Sequence, residues 1–252
     1  MERQSLIRKI LIFVLSVVCI ISCIITGCTV YDHYHEESYT TGTITPAEPV
    51  EVVDIQDDLK ELSPLEEANQ NKPLSQNSIG WLKIPDADID DPVQQTTDNE
   101  FYLNHDEYDQ YSIWGSYFFS CDNNVVEDSL DKVTLIFGHS NGNSAHLKFS
   151  TLKKFKDVSF AQDHQYIELW IGNTKTIWQI FSVCDYPVGE HTIMNVNPND
   201  KAFEEEVSLM KQLSYNQYNV DVSGDDKILV LATCSGDNNY SYRFLVCAKR
   251  IS

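Results

Sequence analysis

Two residues near the C-terminus have the types and spacing for nucleophilic chemistry. Cys234 ends the run Ile228-Leu229-Val230-Leu231-Ala232-Thr233-Cys234, and nine positions later Arg243 stands near the start of Tyr242-Arg243-Phe244-Leu245-Val246-Cys247-Ala248. A guanidinium keeps its charge, so it can lower a thiol pKa or hold a developing oxyanion. The chemistry also needs a base. His139, in Gly138-His139-Ser140-Asn141-Gly142-Asn143, offers an imidazole that takes and returns a proton near neutrality, its ordinary pKa being about 6.5.

The elements that must position these groups are strands. Both C-terminal runs are apolar and of strand length, and Ser235-Gly236-Asp237-Asn238-Asn239 between them is turn chemistry. Strand, loop, strand puts Cys234 and Arg243 on opposite sides of one loop mouth. Val133-Thr134-Leu135-Ile136-Phe137 is a further buried-strand pattern, and it stops just before His139. Asp237 could orient the histidine or simply shape the turn, and the Asp-Asn-Asn context favours the turn.

The other cysteines and histidines have no such setting. Cys184 and Cys247 lie inside apolar runs and read as buried thiols, whereas Cys121 is the remaining external one. No Cys/His set has zinc-site spacing, so no metal or other cofactor is expected.

Leu231-Ala232-Thr233-Cys234 with Arg243 and an upstream Gly138-His139 resembles a sortase. The resemblance covers about Ile79 to the C-terminus. Gly80-Trp81-Leu82-Lys83-Ile84-Pro85, Asp98-Asn99-Glu100-Phe101-Tyr102-Leu103-Asn104-His105-Asp106 and Gly115-Ser116 are similar in order and spacing to class B sortases. The residue three before Thr233 departs from the family's usual Thr-Leu-x-Thr-Cys, since Val230 occupies the first position.

That resemblance implies a cysteine transpeptidase with Cys234 as nucleophile, His139 as acid and base, and Arg243 on the oxyanion; Asp237 is a possible fourth member. It implies substrate contacts at Thr233 and Ser235 beside the nucleophile and at Asn99 and Leu103 in a groove. His105 is read as structural. The implied substrate is the C-terminal sorting signal of a secreted protein, of the LPxTG or NPxTN kind. A peptidoglycan precursor amine would accept the acyl group. Neither an Asp-Pro-aromatic lid nor a second apolar span is present, which favours wall anchoring over pilin polymerisation.

The 252 residues carry a formal charge of −20, which argues against nucleic acid as a partner, and 42% hydrophobic content suffices for a sizeable core. Arg3, Arg8 and Lys9 precede the uncharged apolar stretch Ile10 to Val30, long enough at about 1.5 Å per residue to cross a hydrocarbon core of about 30 Å. The charge asymmetry predicts a cytoplasmic N-terminus, residues 1–30 as a single-pass membrane anchor and an extracellular domain. Ile25-Thr26-Gly27-Cys28 also resembles a lipoprotein processing site. It is the basis of the rival reading, a non-catalytic surface lipoprotein or binding module.

Residues 31–53 are polar, Thr-rich and without sustained period, and are expected to form an extracellular tether. Ile55, Leu59, Leu62 and Leu65 predict a short helical segment within 54–78, with Pro64 as an interruption. Short runs around Trp81 and Val93, at Tyr117–Ser120, Val133–Phe137, Tyr166–Ile171 and Thr176–Val183, and the final pair indicate an all-β sandwich or barrel. Ser150 to Phe155 is read as a helical turn. Phe203, Val207, Met210 and Leu213 keep a helical period behind Asn199-Asp200. The class B resemblance selects a mainly β fold over 79–252: a closed barrel of about eight strands, with an N-terminal helix and a helix between the sixth and seventh strands.

Overall fold

The computed structural model describes residues 39–47, 62–126, 129–140, 148–187, 195–234 and 242–252, with the backbone alone at Cys234. Its strands in chain order are β1 (Thr43–Ile44), β2 (Ser78–Ile84), β3 (Ile89–Gln94), β4 (Tyr117–Phe119), β5 (Val133–Phe137), β6 (Tyr166–Ile171), β7 (Thr174–Pro187), β8 (Gln217–Tyr218), β9 (Ile228–Cys234) and β10 (Tyr242–Arg250). The helices are α1 (Pro64–Asn71), α2 (Val158–Asp163) and α3 (Asp200–Gln212), with 3-10 turns at Phe101–Leu103 and Lys148–Lys156.

Eight strands close a barrel in the order β10-β7-β6-β2-β3-β4-β5-β9. The pleat explains which side chains fill it. On β2 Ser78, Gly80, Leu82 and Ile84 are buried and the residues between them half-buried, as one face turned to a core requires. On β9 both faces are buried: Leu229 and Leu231 join the barrel interior, while Val230 and Ala232 join a second cluster under α3 with Phe203, Val207 and Met210. A strand covered on both sides reads as a continuous apolar run, which is why this stretch stands out in the sequence. β5 lies parallel to β9 and is covered in the same way, with Leu135 outward and Ile136 inward.

The helix α3 falls between the sixth and seventh strands of the barrel, as the resemblance implied. Asn199 caps it by accepting a hydrogen bond from the Ala202 amide at 3.0 Å. In α1 the cap is Ser63, and Pro64 stands in the first turn. The proline therefore opens the helix instead of interrupting it: its missing N–H costs nothing where no intrahelical partner exists. Residues 48–61, which hold Ile55 and Leu59, lie outside the described residues.

Within the stretch read as a tether, residues 40–47 are fastened to the barrel as a strap. Thr43 and Ile44 pair in parallel with Gln217 and Tyr218, and the Ile44 side chain, 1% exposed, belongs to the main core. The Gly42 amide donates to Asn216 Oδ1 at 3.0 Å, and the Gln217 amide donates to the Gly42 carbonyl at 2.9 Å. Gln162 and Gln165 both donate to the Thr45 carbonyl, at 2.8 and 2.9 Å. The compact unit accordingly begins at Thr40.

Among the described residues no helix is long and apolar enough to cross a membrane; the Ile10 to Val30 stretch lies outside them.

Candidate active site

The last register pair of β9 with β10 is Cys234 with Arg243. On the other side of β9, β5 pairs in parallel as far as Phe137 with Ala232, and the Gly138 amide donates to the Ala232 carbonyl at 3.3 Å. His139 follows two residues beyond Phe137, as Cys234 follows two beyond Ala232. The three positions thus sit at the same ends of three adjacent strands, each about 4.8 Å from the next. The three positions singled out from sequence are brought level by strand register.

The histidine is fixed from outside the barrel. His139 Nε2 lies 2.6 Å from the carbonyl oxygen of Leu103, in the turn after Phe101. A carbonyl can only accept, so Nε2 carries the proton and Nδ1 of the neutral ring is left as the basic nitrogen. Arg243 Nη1 donates to the Tyr242 carbonyl at 3.2 Å. Ser235 and Asp237 lie outside the described residues.

No family model matches the chain. It is 29% identical over 248 residues to sortase B of Listeria monocytogenes serovar 1/2a, covering 95% of this chain and 94% of that protein. A solved sortase B from Listeria monocytogenes shares 32% identity at a TM-score of 0.61, over 69% of this chain and 94% of that one. A Staphylococcus aureus sortase B-substrate complex shares 25% identity at a TM-score of 0.65, over 75% and 84%. The chain belongs to the class B sortases.

Membership in this transpeptidase family gives the rest of the surroundings a purpose. In this sortase Gly138 is the residue that lets His139 reach its place. A Cβ there would meet Phe149 Cδ2 at 2.7 Å and Tyr117 Cδ1 at 2.8 Å. Those two rings are stacked with centroids 4.5 Å apart and fully buried, so neither can retreat. Gly138→Ala is expected to destabilise the protein by about 1–3 kcal/mol through overpacking. It should also lower the transpeptidation rate by shifting His139; a thermal melt and a rate measurement on the same sample check both. An unchanged melt would show that the stack yields.

Gly115 works the same way at the other end of the histidine's hydrogen bond. Its φ is +58°, and a Cβ would lie 2.4 Å from the Tyr102 carbonyl oxygen and 2.8 Å from that of Leu103. Only glycine permits this close approach.

The expected groove residues divide. Leu103 is exposed and brings its carbonyl to His139. Asn99 is half-buried, and its side-chain oxygen accepts from the Cys121 amide at 2.8 Å, so its first task is to hold the chain after β4. Thr233 is buried, and its hydroxyl has no hydrogen-bond partner among the described residues. His105 stacks on Phe101 with centroids 3.9 Å apart, and its Nδ1 lies 2.8 Å from the Phe101 carbonyl, a structural role.

Sequence reading missed Leu103's carbonyl as the histidine's partner, since a backbone oxygen leaves no signature in residue type. It also missed a half-buried bond beneath α3, where the Tyr186 hydroxyl donates to Glu206. Burial together with that carboxylate pushes the Tyr186 pKa far up. Tyr186 is the β7 register partner of Arg243, which makes it the next residue in the same row.

A cleft of about 160 Å3, lined by Val133, Asn195, Pro198, Phe203, Met210 and Ile228 among others, opens beside α3. Val133 and Ile228 begin the strands whose far ends lead to His139 and Cys234, so this cleft is remote from the chemistry. Among the described residues no group of His, Cys, Asp and Glu is arranged to hold a metal ion.

Proposed function

We propose that this class B sortase is held at the cell membrane by residues 10–30, with a cytoplasmic N-terminus and an extracellular barrel. There it cleaves an LPxTG- or NPxTN-like sorting motif after its threonine. The observation that carries the catalytic reading is the Cys234–Arg243 register pair with His139 level with it on the neighbouring strand.

Each step follows from the groups in that row. The sulfur of Cys234 attacks the threonine carbonyl carbon, and the carbonyl π pair moves onto oxygen, where Arg243 meets the charge. The thiol proton passes to Nδ1 of His139 and from there to the departing amine. Collapse of the tetrahedral centre breaks the C–N bond and leaves a thioester on Cys234. An amine of a peptidoglycan precursor then attacks that thioester while His139 takes its proton, and the thiol is released. Water attacking in place of the amine would give hydrolysis. Thr233 and Ser235, next to the nucleophile in sequence, serve as substrate contacts, and Asn99 and Leu103 line the approach.

The test is cleavage of a panel of fluorogenic sorting peptides by the full-length chain, beside Cys234→Ala, His139→Ala and Arg243→Ala. One peptide should be cleaved, with the rate falling by a factor on the order of 10² or more in each variant. Cleavage that survives in Cys234→Ala removes the thioester mechanism. If no peptide is cleaved and Cys234 resists alkylation in the folded protein, the binding-module reading replaces it.

A further inference from the structure

Three glutamates in a row, Glu204, Glu205 and Glu206, stand on α3. At 3.6 residues per turn they cannot all point the same way. Phe203, Val207 and Met210 are the helix residues buried against the sheet, and Glu206, three after Phe203 and four before Met210, lies on the flank of that face. Glu204 and Glu205 are exposed, whereas Glu206 is half-buried. A carboxylate turned toward an apolar face needs a donor, and the Tyr186 hydroxyl supplies one to Glu206 Oε2.

Tyr186 links that bond to the chemistry. The residue is 1% exposed and belongs to the apolar cluster under α3. Across the sheet it is the register partner of Arg243, whose partner on the other side is Cys234. Residues directly opposite on antiparallel strands have their Cβ atoms about 5 Å apart on one face, so whatever restrains the Tyr186 ring limits the space open to the Arg243 side chain. The raised pKa of Tyr186 keeps its hydroxyl a donor, and a hydrogen bond to a carboxylate is stronger than one between neutral groups.

An oxyanion donor acts best when it is already in place before charge develops. Arg243 is half-buried on a long side chain that loses much rotamer freedom when it is fixed. A pinned neighbour lessens the freedom it has to lose.

We propose that Glu206 and Tyr186 are positioning residues for Arg243: the carboxylate on α3 holds the Tyr186 hydroxyl, and the fixed ring holds the guanidinium ready for the oxyanion. The inference rests on the oxyanion role given to Arg243 above, and it extends the working parts of the site to α3.

Two measurements on the full-length chain test it. The first compares kcat and KM for the cleaved sorting peptide in wild type, Tyr186→Phe, Glu206→Gln and the double variant. Each single variant should lose about tenfold in kcat with KM unchanged, and the double variant no more than either, because both break one bond. In an Arg243→Lys background the Tyr186→Phe loss should vanish, since no guanidinium remains to be positioned. Wild-type kcat in both single variants overturns the proposal. So does a loss that persists undiminished over Arg243→Lys, because the pair would then act on the fold and not on the guanidinium.

The second reads Arg243 without a peptide, so it decides even if none is cleaved. The arginines of the chain are Arg3, Arg8, Arg243 and Arg250, so the Nε–H resonances are few. The heteronuclear Overhauser effect at Arg243 Nε, assigned as the signal missing from Arg243→Lys, should fall in Tyr186→Phe and in Glu206→Gln as the guanidinium gains fast motion. Arg250 Nε, which donates to the Ser252 carbonyl at 3.0 Å, should keep its value. A fall at Arg243 with no peptide cleaved supports the positioning and places the failure in the sorting-peptide reading. An Arg243 value equal to wild type in both variants overturns the proposal whatever the peptides do.

Discussion

A chain that begins at Asp54 is expected to melt at least about 10 °C below one that keeps residues 39–47. The strap is not a spacer where it crosses the barrel. Removing it takes Ile44 out of the main core, and deleting a buried isoleucine side chain costs about 2–5 kcal/mol where the site cannot collapse. Asn216 and Gln165 are buried, and each would lose a partner on the strap: Gly42 for the first, Thr45 and Ala47 for the second. A buried polar group left unpaired costs about 1–3 kcal/mol. Ordering the strap opposes these terms, so the net loss is smaller than their sum. For a domain of this size about 1 kcal/mol moves the melting temperature by roughly 2–4 °C. Ile44→Ala in the complete chain isolates the core term and should account for much of the drop. Equal melting temperatures for the two chain lengths would show that the barrel holds its shape without the strap.

The strap also shows where sequence reading stops. Thr43, Ile44 and Thr45 lie in a Thr-rich, Pro-containing stretch with no period, and a strand of two residues is too short to leave one. Its fastening depends on Asn216 and Gln165, more than a hundred positions away. Nothing local encodes that. By contrast β5 and β9 are legible because each is covered on both faces, so every position is selected to be apolar. β6 and β10 were found for related reasons, and α3 through its cap and its spacing.

Pro64 illustrates a different limit. Its effect depends on whether it falls in the first turn or the interior, and the two differ by one residue of boundary. In the candidate site, residue types single out Cys234, His139 and Arg243, which strand register places at the same ends of three adjacent strands. The Leu103 carbonyl stayed hidden, and so did the reasons for Gly115 and Gly138, because each is a matter of backbone approach and not of side-chain chemistry.

Arg243→Lys is expected to lower kcat by a factor on the order of 10² with little change in KM, although the charge is conserved. The reason lies in the oxyanion role proposed for it. An oxyanion exists in the tetrahedral transition state and not in the bound peptide, so an interaction reserved for it appears in kcat. Losing one well-placed oxyanion donor costs about 2.7–4 kcal/mol. Lysine offers a compact, strongly hydrated ammonium in place of a planar fork, so its charge arrives without the geometry. The backbone pairing of positions 243 and 234 does not depend on the side chain, so the melting temperature should hold. The same variant separates the two uses of a cation beside a thiol. Were Arg243 chiefly an activator of Cys234, alkylation by iodoacetamide would slow in step with kcat. An alkylation rate that stays near wild type while kcat falls assigns the guanidinium to the oxyanion, and a rise in KM at constant kcat would assign it to holding the bound peptide instead.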